Sequence, residues 1–292
     1  MTVQEWQALG TYHQIGEHKV FTVEAGEGDA TLVILHGYPS ASFDYYKVLE
    51  VWKPHFRVII HDHLGYGFSD KPKNYSYSLI EQAEVAQQLW QKLGVKKAHL
   101  LAHDYGTSVA TEIIYRRNIG IEPVTIQSAT LGNGSMLIEM ASLLLSQKLL
   151  YHPFFGPLLV KLSSRGYFKY NMRKIWWDKS KCNDAELDIL WGLLEANGGR
   201  KVLPKITQYI PERFKFWNRW IANGLYKTDL PINLLWADKD PVAVVEMAHE
   251  LHKNIPNNRL QILKDIGHYP MLEAPEVYGK AVLELILGNV ST

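Results

Sequence analysis

The sequence predicts an α/β fold in which a mostly parallel sheet is covered by helices on both faces and carries an inserted helical cap. Three observations lead to this fold class. Short runs of aliphatic and β-branched residues alternate with helical patterns, several of those runs are apolar at consecutive positions, and a long central segment has no convincing strand pattern. Such alternation predicts a parallel sheet, and consecutive apolar residues are typical of strands buried on both faces.

Strands and helices are predicted in alternation before and after the central segment. The first predicted strands are His18–Glu24, Thr31–Leu35, Phe56–His61, Ala98–Ala102 and Val124–Ala129. Helices are predicted over Ile80–Leu93, which Gly94 ends, and over Thr107–Arg117, which has basic residues in its last turn. The later elements are predicted strands at Ile232–Trp236 and Leu260–Leu263 and a closing helix at Val277–Leu287.

The central segment is predicted to be a cap that lies over the sheet. We place the α/β core at 1–131 and 228–292 and the helical cap at 132–227. The cap contains five of the nine tryptophans, which are Trp176, Trp177, Trp191, Trp217 and Trp220. Because apolar and aromatic side chains dominate the lining of small-molecule sites, this composition predicts a small hydrophobic substrate.

Composition and charge exclude several classes of protein. The 292 residues include 31 Lys and Arg against 30 Asp and Glu, and 47% of all residues are hydrophobic. The composition is that of a globular protein, and the balanced charge predicts neither a nucleic-acid partner nor an anionic membrane partner. The start of the chain lacks the pattern of a signal peptide, and no apolar run is long enough to span a bilayer. We therefore expect a cytoplasmic protein, whose oligomeric state the sequence does not indicate.

No metal or other cofactor is expected. Cys182 is the single cysteine, which excludes an internal disulfide and zinc sites built from several cysteines. His61-Asp62-His63 and His103-Asp104 suggest metal ligands, but neighbouring residues on a strand point to opposite faces. Turn formation at the end of a strand is the better interpretation of Asp62 and Gly65.

Polar motifs follow several predicted strands, where ligands bind in open α/β sheets. Ala102-His103-Asp104-Tyr105-Gly106 has the form small-x-nucleophile-x-Gly between a strand and a helix. Such a turn is sharp and raises its central side chain above the sheet. Asp104 is therefore a candidate nucleophile, and the alternative is that it caps the helix that begins near Thr107.

Three further strand ends complete a catalytic pattern around Asp104. His36-Gly37-Tyr38-Pro39 is a candidate oxyanion turn, in which the backbone N–H groups of Tyr38 and Tyr105 point at the nucleophile. Asp240 and His268 follow later strands. Each alone is as well explained by a turn or a surface histidine, but nucleophile, acid and histidine in this order match the order in α/β-hydrolases.

These blocks, with Gly65-Tyr66-Gly67-Phe68-Ser69-Asp70-Lys71-Pro72, resemble the α/β-hydrolase superfamily in its Asp-nucleophile group of epoxide hydrolases and haloalkane dehalogenases. The resemblance runs from about Val20 to Leu287 and is weakest in the cap. The residue sequence of these blocks, together with Gln208-Tyr209-Ile210, also resembles the mesoderm-specific transcript branch of that group. The resemblance implies that Asp104 forms an ester with the substrate and that His268, oriented by Asp240, activates the water that frees it.

Hydrolysis of an epoxide to a diol is the leading prediction. Epoxide hydrolases are similar in using His-Gly-aromatic-Pro, and they supply two cap tyrosines as proton donors; Tyr209 and Tyr151 are the candidates. The alternative interpretation is that both tyrosines pack in an aromatic core of the cap. A haloalkane dehalogenase is the second candidate. Its halide site would be atypical, because Tyr38 and Tyr105 stand where that group has Asn and Trp. The third is a non-catalytic binding protein on a hydrolase fold.

Overall fold

The computed structural model describes residues 1–143 and 145–288. Eight strands form one sheet. They are β1 (Gly10–Ile15), β2 (His18–Ala25), β3 (Ala30–Leu35), β4 (Phe56–His61), β5 (Lys97–His103), β6 (Thr125–Gly132), β7 (Ile232–Ala237) and β8 (Asn258–Leu263).

The order of the strands across the sheet is β1-β2-β4-β3-β5-β6-β7-β8. From β4 to β8 every neighbouring pair is parallel, whereas β2 is antiparallel to both β1 and β4. The chain passes from β3 to one side, into β4, and then returns to the other side, into β5. This reversal opens a crevice at the carboxyl ends of β3 and β5, which is where open α/β sheets bind their ligands.

Helices cover both faces of the sheet. In the core they are α1 (Val3–Leu9), α2 (Leu49–Trp52), α3 (Leu79–Lys92), α4 (Tyr105–Asn118), α11 (Val245–Asn254), α12 (Pro270–Glu273) and α13 (Pro275–Leu287). Side chains of α3, α4 and α11 belong to one buried apolar cluster, and those of α2 and α13 belong to a second cluster on the opposite face. The two clusters explain why the central strands are apolar on consecutive residues.

Between β6 and β7 the described residues form helices and turns and no strand. The α-helices of this insertion are α5 (Leu145–Leu150), α6 (Phe155–Leu162), α7 (Arg165–Lys174), α8 (Asp184–Glu195), α9 (Leu203–Ile206) and α10 (Tyr209–Lys215). The predicted fold class, a mostly parallel sheet with an inserted helical cap, is confirmed. The predicted boundaries of the cap at 132 and 227 stay a prediction.

The sequence prediction missed β1. This edge strand has no apolar alternation, and most of its side chains are partly or fully exposed, so burial leaves no pattern in its sequence. Its backbone pairs with β2 in a regular antiparallel register from Gly10 opposite Val23 to Ile15 opposite His18. Among the described residues, no helix is both long and apolar enough to cross a membrane.

Candidate active site

Asp104 lies in the turn that joins β5 to α4, and its backbone is held in a rarely populated conformation. The φ and ψ angles of Asp104 are 45° and −113°, which are costly for a residue other than glycine. Gly106 makes the tight turn possible, because a Cβ atom there would lie 2.2 Å from the backbone oxygen of Leu35. The side chain of Asp104 makes no capping hydrogen bond with α4, so it projects as the side chain of a nucleophile must.

The loop after β3 holds the carboxylate of Asp104. The backbone N–H of Tyr38 donates a hydrogen bond of 2.9 Å to Oδ2 of Asp104, as the predicted oxyanion turn requires. Tyr105 is the first residue of α4, where backbone N–H groups have no acceptor within the helix and carry the positive end of its dipole. Asp104 therefore lies between a donor from one loop and the N-terminus of a helix.

His268 and Asp240 are joined by a short hydrogen bond. Nδ1 of His268 lies 2.6 Å from Oδ2 of Asp240, and both side chains are buried. Oδ1 of Asp240 accepts bonds from the backbone N–H groups of Val242 at 2.7 Å and Ala243 at 3.0 Å. Held by these bonds, the carboxylate of Asp240 is in place to orient the imidazole and to stabilise its cation.

Asn133 is a further partner of Asp240, and the sequence prediction missed it. Its side-chain nitrogen donates to Oδ2 of Asp240 at 2.8 Å, and its side-chain oxygen accepts from the backbone of Ala237 at 2.9 Å. Asn133 follows β6 directly and has a φ of 45°, a conformation that asparagine tolerates better than most residues. A polar residue between two glycines at a strand end was the available signal.

The pKa values of His268 and His103, the two histidines of the site, are shifted in opposite directions. Burial alone would lower the pKa of His268, but the charge and hydrogen bond of Asp240, with the charges of Asp104 and Asp44, raise it to about 9. Burial lowers the pKa of His103 to about 4, so that His103 is neutral and its Nε2 donates to the backbone oxygen of His268 at 2.7 Å. His103 thus supports the loop of His268, while His268 is the group that can exchange a proton.

A cavity of about 910 Å³, part of it open to solvent, lies above Asp104 and His268. Tyr38 and Val242 line it from the core, and most other lining side chains come from the cap and are apolar. The cap residues include Leu150, Leu159, Val160, Phe168, Met172, Trp191 and Leu203. The predicted apolar pocket is therefore present above the predicted nucleophile.

The two predicted cap tyrosines occupy different places. Tyr209 is buried, and the centre of its ring lies 5.6 Å from that of Tyr38 and 5.2 Å from that of Tyr105. Burial raises the pKa of Tyr209 well above its usual value, and the charge of Asp104 raises it further. Tyr151 is half-buried, and its backbone oxygen accepts a bond from Gln208. Neither tyrosine is among the residues that line the cavity, but the hydroxyl of Tyr209 accepts a bond of 3.4 Å from the lining residue Gln147.

Arg213 of α10 is a buried cation that the sequence prediction missed. Its guanidinium lies 4.6 Å from the centre of the Tyr209 ring, and its Nε donates to the hydroxyl of Ser108 on α4 at 2.6 Å. Within the described residues Arg213 has no acidic partner. A buried cation over an aromatic face is held by the ring's negative quadrupole, so Arg213 fixes both Tyr209 and the contact of the cap with α4.

The other histidines of the strand-end motifs lie beneath the site and contribute to the fold. His36, His61 and His63 are buried together, and burial lowers the pKa of His36 to about 4 and that of His61 to about 3. Asp62 accepts backbone bonds from Ser42 at 2.8 Å and Phe68 at 2.7 Å. In the part of the chain that the structure describes, no group of three His, Cys, Asp or Glu side chains could hold a metal ion.

Comparison with known proteins gives a family match and full-length relatives. The family described as alpha/beta hydrolase fold matches residues 30–155. The putative hydrolase LipZ of Mycobacterium tuberculosis is 36% identical over 98% of this chain and 98% of its own length. The mesoderm-specific transcript protein of Mus musculus is 33% identical over 97% of this chain and 88% of its own length.

Solved structures with this fold include enzymes with different leaving groups. The epoxide hydrolase CorEH has a TM-score of 0.79 and 16% identity, and the match covers 95% of this chain and 98% of that one. The haloalkane dehalogenase DbeA of Bradyrhizobium elkani also has a TM-score of 0.79, at 20% identity, over 96% of this chain and 97% of that one. At these identities the likeness concerns the fold alone, so the choice of substrate depends on the site itself.

Proposed function

Since the chain belongs to the α/β-hydrolase family, we propose that it hydrolyses epoxides to diols through an ester formed on Asp104. The family membership confirms the resemblance that the motifs indicate and makes the chain a hydrolase of this fold. The epoxide and the ester are the proposed part. The observation that carries the proposal is a carboxylate at the strained turn, hydrogen-bonded to the backbone of Tyr38 beneath an apolar cavity that His268 also lines.

The first chemical step is the opening of the ring. Oδ1 of Asp104 attacks a ring carbon, a C–O bond of the epoxide breaks, and an ester joins the enzyme to the substrate. The departing oxygen takes a proton from the hydroxyl of Tyr209, whose raised pKa keeps it protonated at neutral pH. The apolar walls of the cavity favour a small hydrophobic substrate and keep water from competing with it.

The second step is hydrolysis of the ester. Neutral His268 takes a proton from water as the water attacks Cγ of Asp104, and Asp240 stabilises the imidazolium that forms. The negative charge develops on Oδ2, which already accepts the hydrogen bond from Tyr38. Collapse of this intermediate breaks the bond from Cγ to Oδ1, and the imidazolium of His268 gives its proton to the departing Oδ1, which leaves in the diol. The new carboxyl group of Asp104 returns a proton to the phenolate of Tyr209, so that both residues regain their starting forms.

Isotopic labelling tests the covalent route. A single turnover in heavy-oxygen water should place one heavy oxygen in the Asp104 peptide, while the diol receives an unlabelled oxygen. The same peptide from enzyme incubated without substrate is the control. Labelled diol with unlabelled Asp104 would show direct attack of water on the substrate and would reject the ester.

A panel of epoxides and haloalkanes tests the leaving group. Diol formation from apolar epoxides with little halide release is the expected result. The side chain of Tyr38, which stands where dehalogenases have a halide donor, is instead directed to the hydroxyl of Thr207 at 3.4 Å. Halide release without diol formation would favour the dehalogenase over the epoxide hydrolase.

A further inference from the structure

Helix α6 is apolar on both of its faces although one face is exposed. Phe154, which precedes α6, and Leu158 and Leu162 follow one another at intervals of four residues, and their exposed fractions are 72%, 47% and 72%. On the opposite face Leu159 and Val160 line the cavity above Asp104. A surface helix normally turns polar side chains to water, and an exposed apolar patch of this kind often marks an interaction surface.

Exposed apolar residues and two lysines lie on the neighbouring helices α5 and α6 and in the turn that joins them. We define the outer cap face as Leu145, Phe154, Phe155, Leu158 and Leu162, all of them exposed, together with Lys148 and Lys161. Helices α5 and α6 contact each other, and Lys161 lies on the same side of α6 as Phe154 and Leu158 by helical spacing. Neither lysine forms an ion pair with any acid in the described parts of the chain.

The segment around this surface is strongly basic, although the whole chain is nearly neutral. Between Glu139 and Asp178 the sequence has no acidic residue and six basic ones, which are Lys148, Lys161, Arg165, Lys169, Arg173 and Lys174. Three of these six, all on α7, pair with Asp184 or Asp188 of α8. The chain-wide charge balance, which predicted no membrane partner, conceals this local excess.

We propose that the outer cap face binds the surface of an anionic lipid bilayer. Phenylalanine and leucine side chains partition into the boundary between headgroups and acyl chains, and nearby lysines are attracted to anionic lipids. Phe154, Leu158 and Leu162 provide the first contribution, and Lys148 and Lys161 provide the second. This binding does not depend on the reaction proposed for Asp104.

A second copy of this chain fits the surface less well. A two-fold dimer through the outer cap face would place the same patch on both sides of the interface. Lys148 and Lys161 of one copy would then face the basic patch of the other, and like charges across an interface are unfavourable. An anionic bilayer satisfies the apolar and the basic residues together.

Vesicle flotation with the full chain tests the proposal. We expect the protein to float with vesicles of phosphatidylcholine and phosphatidylglycerol, and to float much less with phosphatidylcholine alone. Phe154→Ser with Leu162→Ser should lower the bound fraction about tenfold, and Lys148→Gln with Lys161→Gln should remove the preference for anionic vesicles. The control is Ile119→Ser with Ile121→Ser, two exposed apolar residues of the core, which should bind as the wild type does.

Two results would overturn the proposal. One is equal flotation of the wild type and the Phe154→Ser, Leu162→Ser variant, with both proteins folded by circular dichroism. The other is an absence of flotation by the wild type together with a dimer in sedimentation velocity that the same variant dissociates. The second result would assign the outer cap face to contact between copies of the chain.

Discussion

Tyr38 and Asp104 are joined by a hydrogen bond of 2.9 Å from the backbone nitrogen of Tyr38 to Oδ2 of Asp104. This bond makes the two carboxylate oxygens unequal. Oδ2 already accepts a hydrogen bond that can stabilise a developing negative charge, so that Oδ1 is the attacking oxygen in the proposed reaction. In the proposed reaction this donor would therefore assist hydrolysis of the ester, the step in which negative charge develops on Oδ2.

Replacing His268 should trap the ester. His268→Gln removes the base that activates water but leaves Asp104 and its Tyr38 donor in place. We expect ester formation at a rate close to that of the wild type, and a fall in steady-state turnover of about 10²–10⁴-fold, the usual contribution of a general base. Intact mass spectrometry after mixing with an epoxide should show a stable adduct.

The same experiment with Asp104→Asn is the control for the site of the adduct. An amide cannot replace the carboxylate as a nucleophile, so no adduct should form. A stable adduct on a different residue, or an unmodified His268→Gln protein that still turns over, would contradict the assigned roles of the two residues.

Hydrolysis of the ester should accelerate as pH rises. The pKa of His268 is raised to about 9 in the free enzyme, and only the neutral imidazole can act as a base. Esterification removes the negative charge of Asp104, which is one cause of the raised pKa, so the apparent pKa for ester decay should lie below about 9. Single-turnover decay of the ester across pH measures it; a rate that falls with increasing pH would contradict the role of His268.

Stability should change in the opposite direction. The folded-state pKa of His268 is raised from 6.5 to about 9, so its protonation favours the folded state. This contribution is complete below the unfolded pKa and is lost as pH rises through the folded pKa. The difference in melting temperature between wild type and His268→Gln should therefore shrink from neutral pH towards alkaline pH, which thermal melts across that range can measure.

The strands and turns that are determined by residues close together in the sequence could be predicted from it. Apolar runs located β2 to β8, and the signal is strongest in β3 to β7, where most residues are buried because helices cover both faces of the sheet. The motif around Asp104 predicted a turn, but only the backbone angles of Asp104 distinguish an elbow from an ordinary cap. The edge strand β1, by contrast, leaves no apolar signal because it is largely exposed.

Contacts between segments that are distant along the chain could not be predicted from the sequence. Asn133 meets Asp240, and Arg213 meets Ser108, across more than a hundred residues in each case, and no local pattern encodes such pairs. The path of the cap is set by packing on the core rather than by its own periodicity. Packing on the core brings the ring of Tyr209 to 5.6 Å from that of Tyr38, whereas Tyr151 is half-buried; their roles as proton donors stay predictions.

Removing the hydroxyl of Tyr209 should slow the opening of the epoxide ring. In Tyr209→Phe the departing oxygen loses its proton donor, and we expect ester formation to fall about 10²-fold. An alkyl halide, whose leaving group needs no proton, should alkylate Asp104 equally well in both proteins. Rapid-quench measurement of the ester checks this, with Tyr170→Phe on the exposed side of α7 as the matched control; equal losses with both substrates would indicate a structural defect.

Arg213 should act through Tyr209. Arg213→Met keeps the length of the side chain but removes the cation over the Tyr209 ring and the bond to Ser108. A buried cation–π contact contributes about 2 kcal/mol, so we expect epoxide opening to slow by about tenfold or more. The loss should be much smaller in a Tyr209→Phe background. Arg259→Met, at an exposed arginine of β8, is the control, and additive losses in the double variant would reject the coupling.

The turn at Asp104 should tolerate no side chain at position 106. In Gly106→Ala the new Cβ atom would lie 2.2 Å from the backbone oxygen of Leu35, so either β3 or the elbow must move. We expect a loss of about 1–3 kcal/mol in the free energy of unfolding and a larger relative loss of activity, since displacement of Asp104 also breaks its bond to Tyr38.

Gly192→Ala is the matched control for that substitution. Gly192 lies inside α8, and a Cβ atom there meets nothing within 4 Å. Alanine in a helix interior stabilises by about 0.5–1 kcal/mol relative to glycine, so this variant should unfold at a slightly higher denaturant concentration and keep its activity. Urea unfolding and turnover of both variants compare the two sites directly. An active and stable Gly106→Ala protein would show that the strained turn is not needed to present Asp104.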